Sequence, residues 1–203
     1  MADRETELKY ELSEAAYHAL LAALPEEGGP AAFSNAYFTT EGEQPRRDWV
    51  LRLRQRPGET GGELTLKVGR QLSPGSFSSM EYSARVSSDQ PADWEETEPL
   101  RVFREEISRQ PLLCRGRSDN ERRLVRAPLG PVPLWEVDRT SLPNGKLFHE
   151  LEIEFPPDRA PTPELLSGFR AQLEEWMFQQ ELPAVPSRKT KYRRFLEAIG
   201  AHF

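Results

Sequence analysis

An α+β fold built around one dominant antiparallel sheet is what this sequence predicts, and three observations predict it. Seven separate segments alternate apolar with charged residues, the period of a strand with one polar face. Turns rich in Pro and Gly, Pro57 to Gly62 and Pro143-Asn144-Gly145, join neighbouring segments as hairpins. A few other stretches space their apolar residues three and four apart, as helices do. The polar strand face carries both signs of charge, where an ordinary wet face uses Ser, Thr and Gln freely. Two arrangements fit that face: the outside of a sandwich, or the lumen of a closed barrel.

The elements follow in order. Glu5 to Leu12 sets Glu5, Glu7, Lys9 and Glu11 opposite Leu8, Tyr10 and Leu12. Ser13 is an N-cap for a helix from Glu14 to Leu24, which the Pro25–Pro30 stretch ends. Ala36 to Thr40 is a short strand. Trp49 to Arg56 and Glu63 to Gly69 form the first hairpin, with Arg52, Arg54 and Arg56 on one charged face and Glu63 and Lys67 on the other. Ser79 to Val86 continues the pattern with Glu81, Ser83 and Arg85. Asp93 to Gln110 has helical spacing through Leu100, Phe103 and Ile107. A second hairpin is expected from Leu112–Arg117 and Glu121–Arg126 about Ser118-Asp119-Asn120, and a third from Trp135–Asp138 and Phe148–Phe155. A helix opens at Thr162 or Pro163 and runs through Leu165, Phe169, Leu173, Trp176 and Met177. The tail, Pro186 to Phe203, is basic and then amphipathic. Residues 1–203 read as a single domain without repeats or linker.

Bulk properties narrow the function. The chain has 203 residues and a net charge of −6, so nucleic-acid binding through overall positive charge is not expected. One cysteine, Cys114, excludes an internal disulfide and a cysteine zinc cage, and it reads as a small buried hydrophobe. No apolar run approaches the ~18 residues of a membrane span, and a cytoplasmic location is the expectation. Walker and dinucleotide-binding glycine motifs are absent, and His149-Glu150 lacks the second histidine of a zincin. His18, His149 and His202 read as structural or exposed, and Trp49, Trp94, Trp135 and Trp176 fall at apolar positions or in a loop.

The charged faces hold the chemistry. Clustered carboxylates are hard oxygen ligands for Mg²⁺ or Mn²⁺. Arginines grip phosphate oxygens as planar forks and lysines as point charges. Both at high density in one lumen suit metal-assisted phosphoryl transfer to or from a polyanion.

Several motifs, in order, carry a resemblance. Glu5-Thr6-Glu7-Leu8-Lys9 fits ExExK at the N-terminus. Tyr37-Phe38-Thr39-Thr40, Leu51-Arg52-Leu53-Arg54, Leu64-Thr65-Leu66-Lys67 and Glu81-Tyr82 follow. Then come Arg122–Arg126, Glu136-Val137-Asp138, Glu150-Leu151-Glu152-Ile153-Glu154 and Thr190-Lys191-Tyr192. From about residue 3 to 197 the chain resembles the CYTH superfamily, the triphosphate tunnel metalloenzymes. The resemblance implies an eight-stranded antiparallel β-barrel with flanking helices, acting on a nucleotide or inorganic triphosphate with Mg²⁺ or Mn²⁺. It implies that Glu5, Glu7 and Lys9 are catalytic, and that Glu5, Glu7, Asp138, Glu152 and Glu154 bind metal, with Glu150 in the alternative register. Lys9, Arg52, Arg54, Lys67, Glu81, Arg85 and Lys191 would contact substrate, with Arg122 and Arg126 from a basic strand whose register is open. Thr39 replaces an Asp of the family pattern, and Ser83 a Glu. Inorganic tripolyphosphate is the leading substrate. Adenylate cyclase, thiamine triphosphatase and a non-catalytic polyphosphate-binding module are the rivals. A triphosphate-bearing small molecule is the expected partner, the apolar strand faces would pack helices or a second copy in a homodimer, and residues 186–203 would form a lid or plug.

Overall fold

The computed structural model describes residues 3–41 and 48–201; His202 lies outside them. In chain order the elements are β1 (Asp3–Leu12), α1 (Glu14–Ala23), β2 (Ala31–Thr40), β3 (Trp49–Gln55), β4 (Gly62–Ser73), β5 (Ser76–Val86) and α2 (Glu98–Glu106). They continue with β6 (Leu112–Arg126), β7 (Leu134–Ser141), β8 (Leu147–Phe155), α3 (Pro163–Gln179), β9 (Ala184–Pro186) and α4 (Lys191–Ala198). All strand pairs are antiparallel, in the order β5-β4-β3-β2-β6-β7-β8-β1-β9. The ladder between β1 and β5, from Asp3↔Glu81 to Leu8↔Ser76, closes β1 to β8 into an eight-stranded barrel. Closure removes the sheet edges that would otherwise stay unpaired.

Strand alternation decides what lies inside the barrel. Leu8, Tyr10, Val137, Leu151 and Ile153 point outward, where α1 and α3 cover them. Ser13 caps α1 by accepting the Ala16 N–H at 3.1 Å, and Thr162 caps α3 in the same way. Trp135 meets Trp176 edge-on at 5.6 Å, and Phe155 meets Phe169 at 5.8 Å. A second outer core joins Leu51, Leu53, Leu64 and Leu66 to Trp94, Leu100 and Phe103. The apolar content of the strands is therefore on the outside, and the charged content is left to the lumen.

Three expectations are corrected. The helix over 93–110 is a 3₁₀ turn, Pro91–Trp94, followed by the separate α2, because Pro99 is accepted only in a helix's first turn. The hairpin about Ser118-Asp119-Asn120 is one continuous strand of 15 residues. Its turn-like composition misleads because Ser118 and Asn120 face a polar lumen, opposite Asn35 and Phe33 of β2. That β2 begins at Ala31, not Ala36, is the same error seen from the neighbouring strand. Finally, Cys114 is exposed and not a buried hydrophobe. Trp94 is fully buried against Phe38, in keeping with its apolar reading.

Gly130, between β6 and β7, offers a test of the α3 docking. Its φ is +91°, and an added Cβ would sit 2.1 Å from Cε2 of Phe169. Gly130→Ala should lower stability by about 1–3 kcal/mol through strain and displacement of that ring. A urea melt checks it: the midpoint falls and the slope is unchanged.

Candidate active site

Inward-facing residues of the strands β1, β7 and β8 build an acidic wall. Across β7 and β8, Glu136 faces Glu152 and Asp138 faces Glu150; across β8 and β1, Glu152 faces Lys9 and Glu154 faces Glu7. Carboxylate oxygens of Glu136, Asp138 and Glu152 lie within 4.8 Å of one another. Such a concentration of negative charge needs cations close by. The protein supplies three. Lys9 Nζ is 2.5 Å from Glu152 and 2.9 Å from Glu7. Arg122 binds Asp138 through both arms at 2.8 and 2.7 Å, reaches Glu152 at 2.8 Å and pairs with Glu136. Lys191, the first residue of α4, lies 2.7 Å from Asp138, 2.5 Å from Glu152 and 3.2 Å from Glu150.

The opposite wall, from β2, β3 and β4, is cationic. Lys67 pairs with Glu5 and with Glu81 at 2.8 Å. Arg52 and Arg54 project into the lumen two residues apart on β3, and among the described residues neither pairs with a carboxylate. The buried Nε of Arg52 has no hydrogen-bond partner, and that of Arg54 donates only to the neutral Asn35 Oδ1, at 3.3 Å. The ring of Phe33 lies 4.2 Å below the Arg54 guanidinium. At one end of the barrel, Tyr192, Phe195 and Leu196 of α4 pack on the lumen-facing Tyr37. The N-cap Thr190 fixes the helix start beside Lys191 by accepting the Arg193 N–H at 3.2 Å.

This crowding splits the carboxyls into two groups. Burial works against the charge on Asp138 and Glu152. For Asp138 it is outweighed by Lys191 and Arg122, for Glu152 by Lys191, Lys9 and Arg122, and both carboxyls stay below the usual range. Glu5, despite burial, is likewise held down by Lys67. Glu7 goes the other way: burial, with the charges of Glu5 and Glu152, pushes it up to about 8. Burial and Glu152 raise Glu150 to about 7. Glu154, at the open rim, also rises to about 7, partial withdrawal from water adding to the repulsion of Glu5 and Glu136. Burial and the neighbouring Arg52 and Arg122 lower Arg54 to about 10, where it is still charged at neutral pH.

The structure therefore brings Glu5, Glu7, Lys9, Arg52, Arg54, Lys67, Glu81, Arg122, Asp138, Glu150, Glu152 and Lys191 to one lumen, with Glu154 at its rim. Two expected residues are left out. Arg85 lies at the end of β5 and pairs at 3.4 Å with Glu59, and Arg126 ends β6 and pairs at 2.7 Å with Glu27; both side chains are about two-thirds exposed. Their strands run past the charged cluster before these residues are reached. The register of the basic strand is settled: Arg122 points in, and Arg123 points out to Glu26. In the acidic strand Glu150 and Glu152 are the deep pair. Glu136 joins the carboxylate triad although the motif pattern gives it no ligand role. Phe33 and Asn35 carry no charge, so a reading based on charge does not find them.

The donors fit a divalent cation that prefers oxygen. All are carboxylates, and the buried Oε1 of Glu150 has no hydrogen-bond partner among the described residues, Oε2 having only the Lys191 ammonium at 3.2 Å. Glu136, Asp138 and Glu152 would hold the ion, with Glu150 and Glu7 beside them.

The model of the CYTH domain family matches residues 3–164. A comparison with curated protein sequences gives no match. Among solved structures, a candidate adenylyl cyclase from Hippeastrum, described as having a dominant triphosphatase activity, superposes with a TM-score of 0.79 at 23% identity, covering 98% of this chain and 100% of its own. A candidate adenylate cyclase from Bacillus halodurans gives 0.70 at 22% identity, covering 96% and 98%. A protein from Pyrococcus horikoshii gives 0.60 at 13% identity, covering 95% and 98%. At these identities the likeness is one of fold.

Proposed function

This chain belongs to the CYTH domain family, and on that footing we propose that it is a metal-dependent triphosphatase whose substrate is inorganic tripolyphosphate. One observation carries the reading: a wall of converging carboxylates faces two arginines that, among the described residues, pair with no carboxylate. A protein that bound polyanions without chemistry would need the second wall but not the first. The activity described for the Hippeastrum protein supports hydrolysis over cyclisation.

Arg52, Arg54 and Lys67 would seat the phosphate chain, and Lys9, Arg122 and Lys191 would meet it from the acidic side. Bound Mg²⁺ or Mn²⁺ would supply charge neutralisation on the phosphoryl oxygens and a polarised water. The attacking water oxygen forms a bond to the terminal phosphorus as the bridging P–O bond breaks, releasing orthophosphate and pyrophosphate. The water proton passes to a lumen carboxylate. Glu7 has the position for that task once a bound cation holds it ionised; without the ion, burial pushes it up to about 8.

Phosphate release from tripolyphosphate, ATP and thiamine triphosphate, each with Mg²⁺, Mn²⁺ or EDTA, tests the proposal. Metal-dependent turnover that favours tripolyphosphate is expected. Cyclic AMP formed from ATP in its place would overturn it in favour of a cyclase, and no release from any substrate would overturn it in favour of a binding module.

A pH prediction follows from the split carboxyls. Glu7, Glu150 and Glu154 have folded values above the ordinary one, so the stability they contribute is complete below about pH 4.5 and is lost as pH rises through about 7–8. Glu5, Asp138 and Glu152 are depressed, and their contribution is lost only as pH falls below the ordinary range. In EDTA, the melting temperature should therefore fall by several °C from about pH 5 to about pH 8. Excess Mn²⁺, which selects the ionised carboxylates, should flatten or reverse that slope in a scanning-fluorimetry series.

A further inference from the structure

Arg54 and Arg122 enter the lumen from different strands and meet opposite fates. Arg122 is held by Glu136, Asp138 and Glu152. Arg54 is near enough to feel Asp138 and Glu136 electrostatically, yet it makes no ion pair with either. Phe33 stands on β2, the strand between the β3 of Arg54 and the β6 of Arg122, and its ring centroid is 4.2 Å from the Arg54 guanidinium carbon and 5.7 Å from that of Arg122. Phe33 is almost fully buried and shares the inward face of β2 with Asn35, whose side-chain oxygen accepts the Arg54 Nε–H. An apolar ring in a charged lumen gains little from hydrophobic burial there. It does offer a π-face to a cation, and it offers that face within 6 Å of both guanidinium groups.

We infer that Phe33 is a positioning residue: its ring partitions the lumen, keeping Arg54 out of the carboxylate cluster and free to grip a phosphate. The inference rests on the phosphate grip proposed above only for its choice of ligand. Without the ring, Arg54 would turn towards Asp138 and Glu136. The phosphate wall would lose one of its two unpaired arginines, and the metal-binding wall would gain a competing cation.

The experiment uses the full chain in EDTA, with tripolyphosphate binding read by calorimetry. Phe33→Leu keeps an apolar side chain but removes the π-face, and should weaken binding about tenfold. Phe33→Tyr should restore it to within about twofold of wild type. In an Arg54→Met background the Phe33→Leu change should have no further effect, which a merely structural role would not predict. Mn²⁺ affinity, measured without substrate, should also fall in Phe33→Leu. The Nε–H resonance of Arg54, identified by its loss in Arg54→Met, should shift in Phe33→Leu as the guanidinium is captured. If Phe33→Leu melts below assay temperature, Phe33→Met is measured in its place. Unchanged binding together with an unshifted Arg54 resonance would overturn the inference. Absence of tripolyphosphate binding in the wild type would remove the proposed substrate, and the Arg54 resonance would still decide the role of Phe33.

Discussion

Glu7→Gln is expected to lower kcat for tripolyphosphate by about 10³-fold while leaving its affinity in EDTA unchanged or tighter. The two effects separate because Glu7 stands on the acidic wall, between Lys9 and the rim residue Glu154, and not on the arginine wall that would seat the phosphates. Replacing its carboxyl takes away a proton acceptor and one oxygen donor beside the Glu136, Asp138 and Glu152 cluster. Above about pH 8, where the carboxyl is ionised without metal, it also takes away repulsion towards a polyanion. Glutamine has the shape of the protonated carboxyl that burial favours here, so the fold should be little disturbed near pH 6. The fall of stability with pH described above should become shallower in the variant, because one of its titrating groups is gone. Phosphate-release kinetics beside calorimetry in EDTA would measure both arms. Full turnover by Glu7→Gln would remove Glu7 from the machinery.

Arg122→Met should be the most destabilising single change in the lumen. One guanidinium neutralises three carboxylates, of which Asp138 is completely buried. Removing one partner from a buried ion cluster leaves uncompensated charge, with a typical cost of about 3–5 kcal/mol. The sign of the pH dependence is fixed by that geometry. Without Arg122, Asp138 and Glu152 lose a partner that holds them ionised, their proton affinity rises, and protonation relieves part of the cost at low pH. The deficit should therefore be larger at about pH 8 than at about pH 5, and Mn²⁺ should recover part of it by occupying the same oxygens. Urea melts at the two pH values, with and without Mn²⁺, measure this. A loss below about 1 kcal/mol at the higher pH would show that Lys9 and Lys191 carry the cluster without Arg122.

The sequence makes the barrel legible because its alternation is complete on the strands that pack against helices. Leu8 and Tyr10 against Glu7 and Lys9, or Leu151 and Ile153 against Glu150 and Glu152, can be assigned to two faces by period alone. Legibility fails where the inward residues are polar but uncharged. Ser118 and Asn120 look like a turn because turn residues and lumen residues draw on the same side chains, and only the ladder to β2 distinguishes them. The site is legible to the same extent. Each charged residue of the acidic wall is visible in the sequence, but depth along the tunnel is not. Arg85 and Arg126 have the right chemistry and strand period and still end at the rim, because where a strand leaves the barrel depends on tilt and stagger across its neighbours. Phe33 escapes for the opposite reason: an aromatic residue on a strand reads as core, and its value here comes from the two arginines beside it.

The helix seated on Tyr37 covers the lumen on that side. If the proposed substrate and its products share the opening that is left, traffic through the tube would be last in, first out. A chain of phosphates would enter end-on, its cleaved tip would wait for the remainder to withdraw or slip past it, and the order of product departure would be set by geometry. A triphosphate with a bulky group on both ends would have no free tip to lead the way, whereas one bare at either end would.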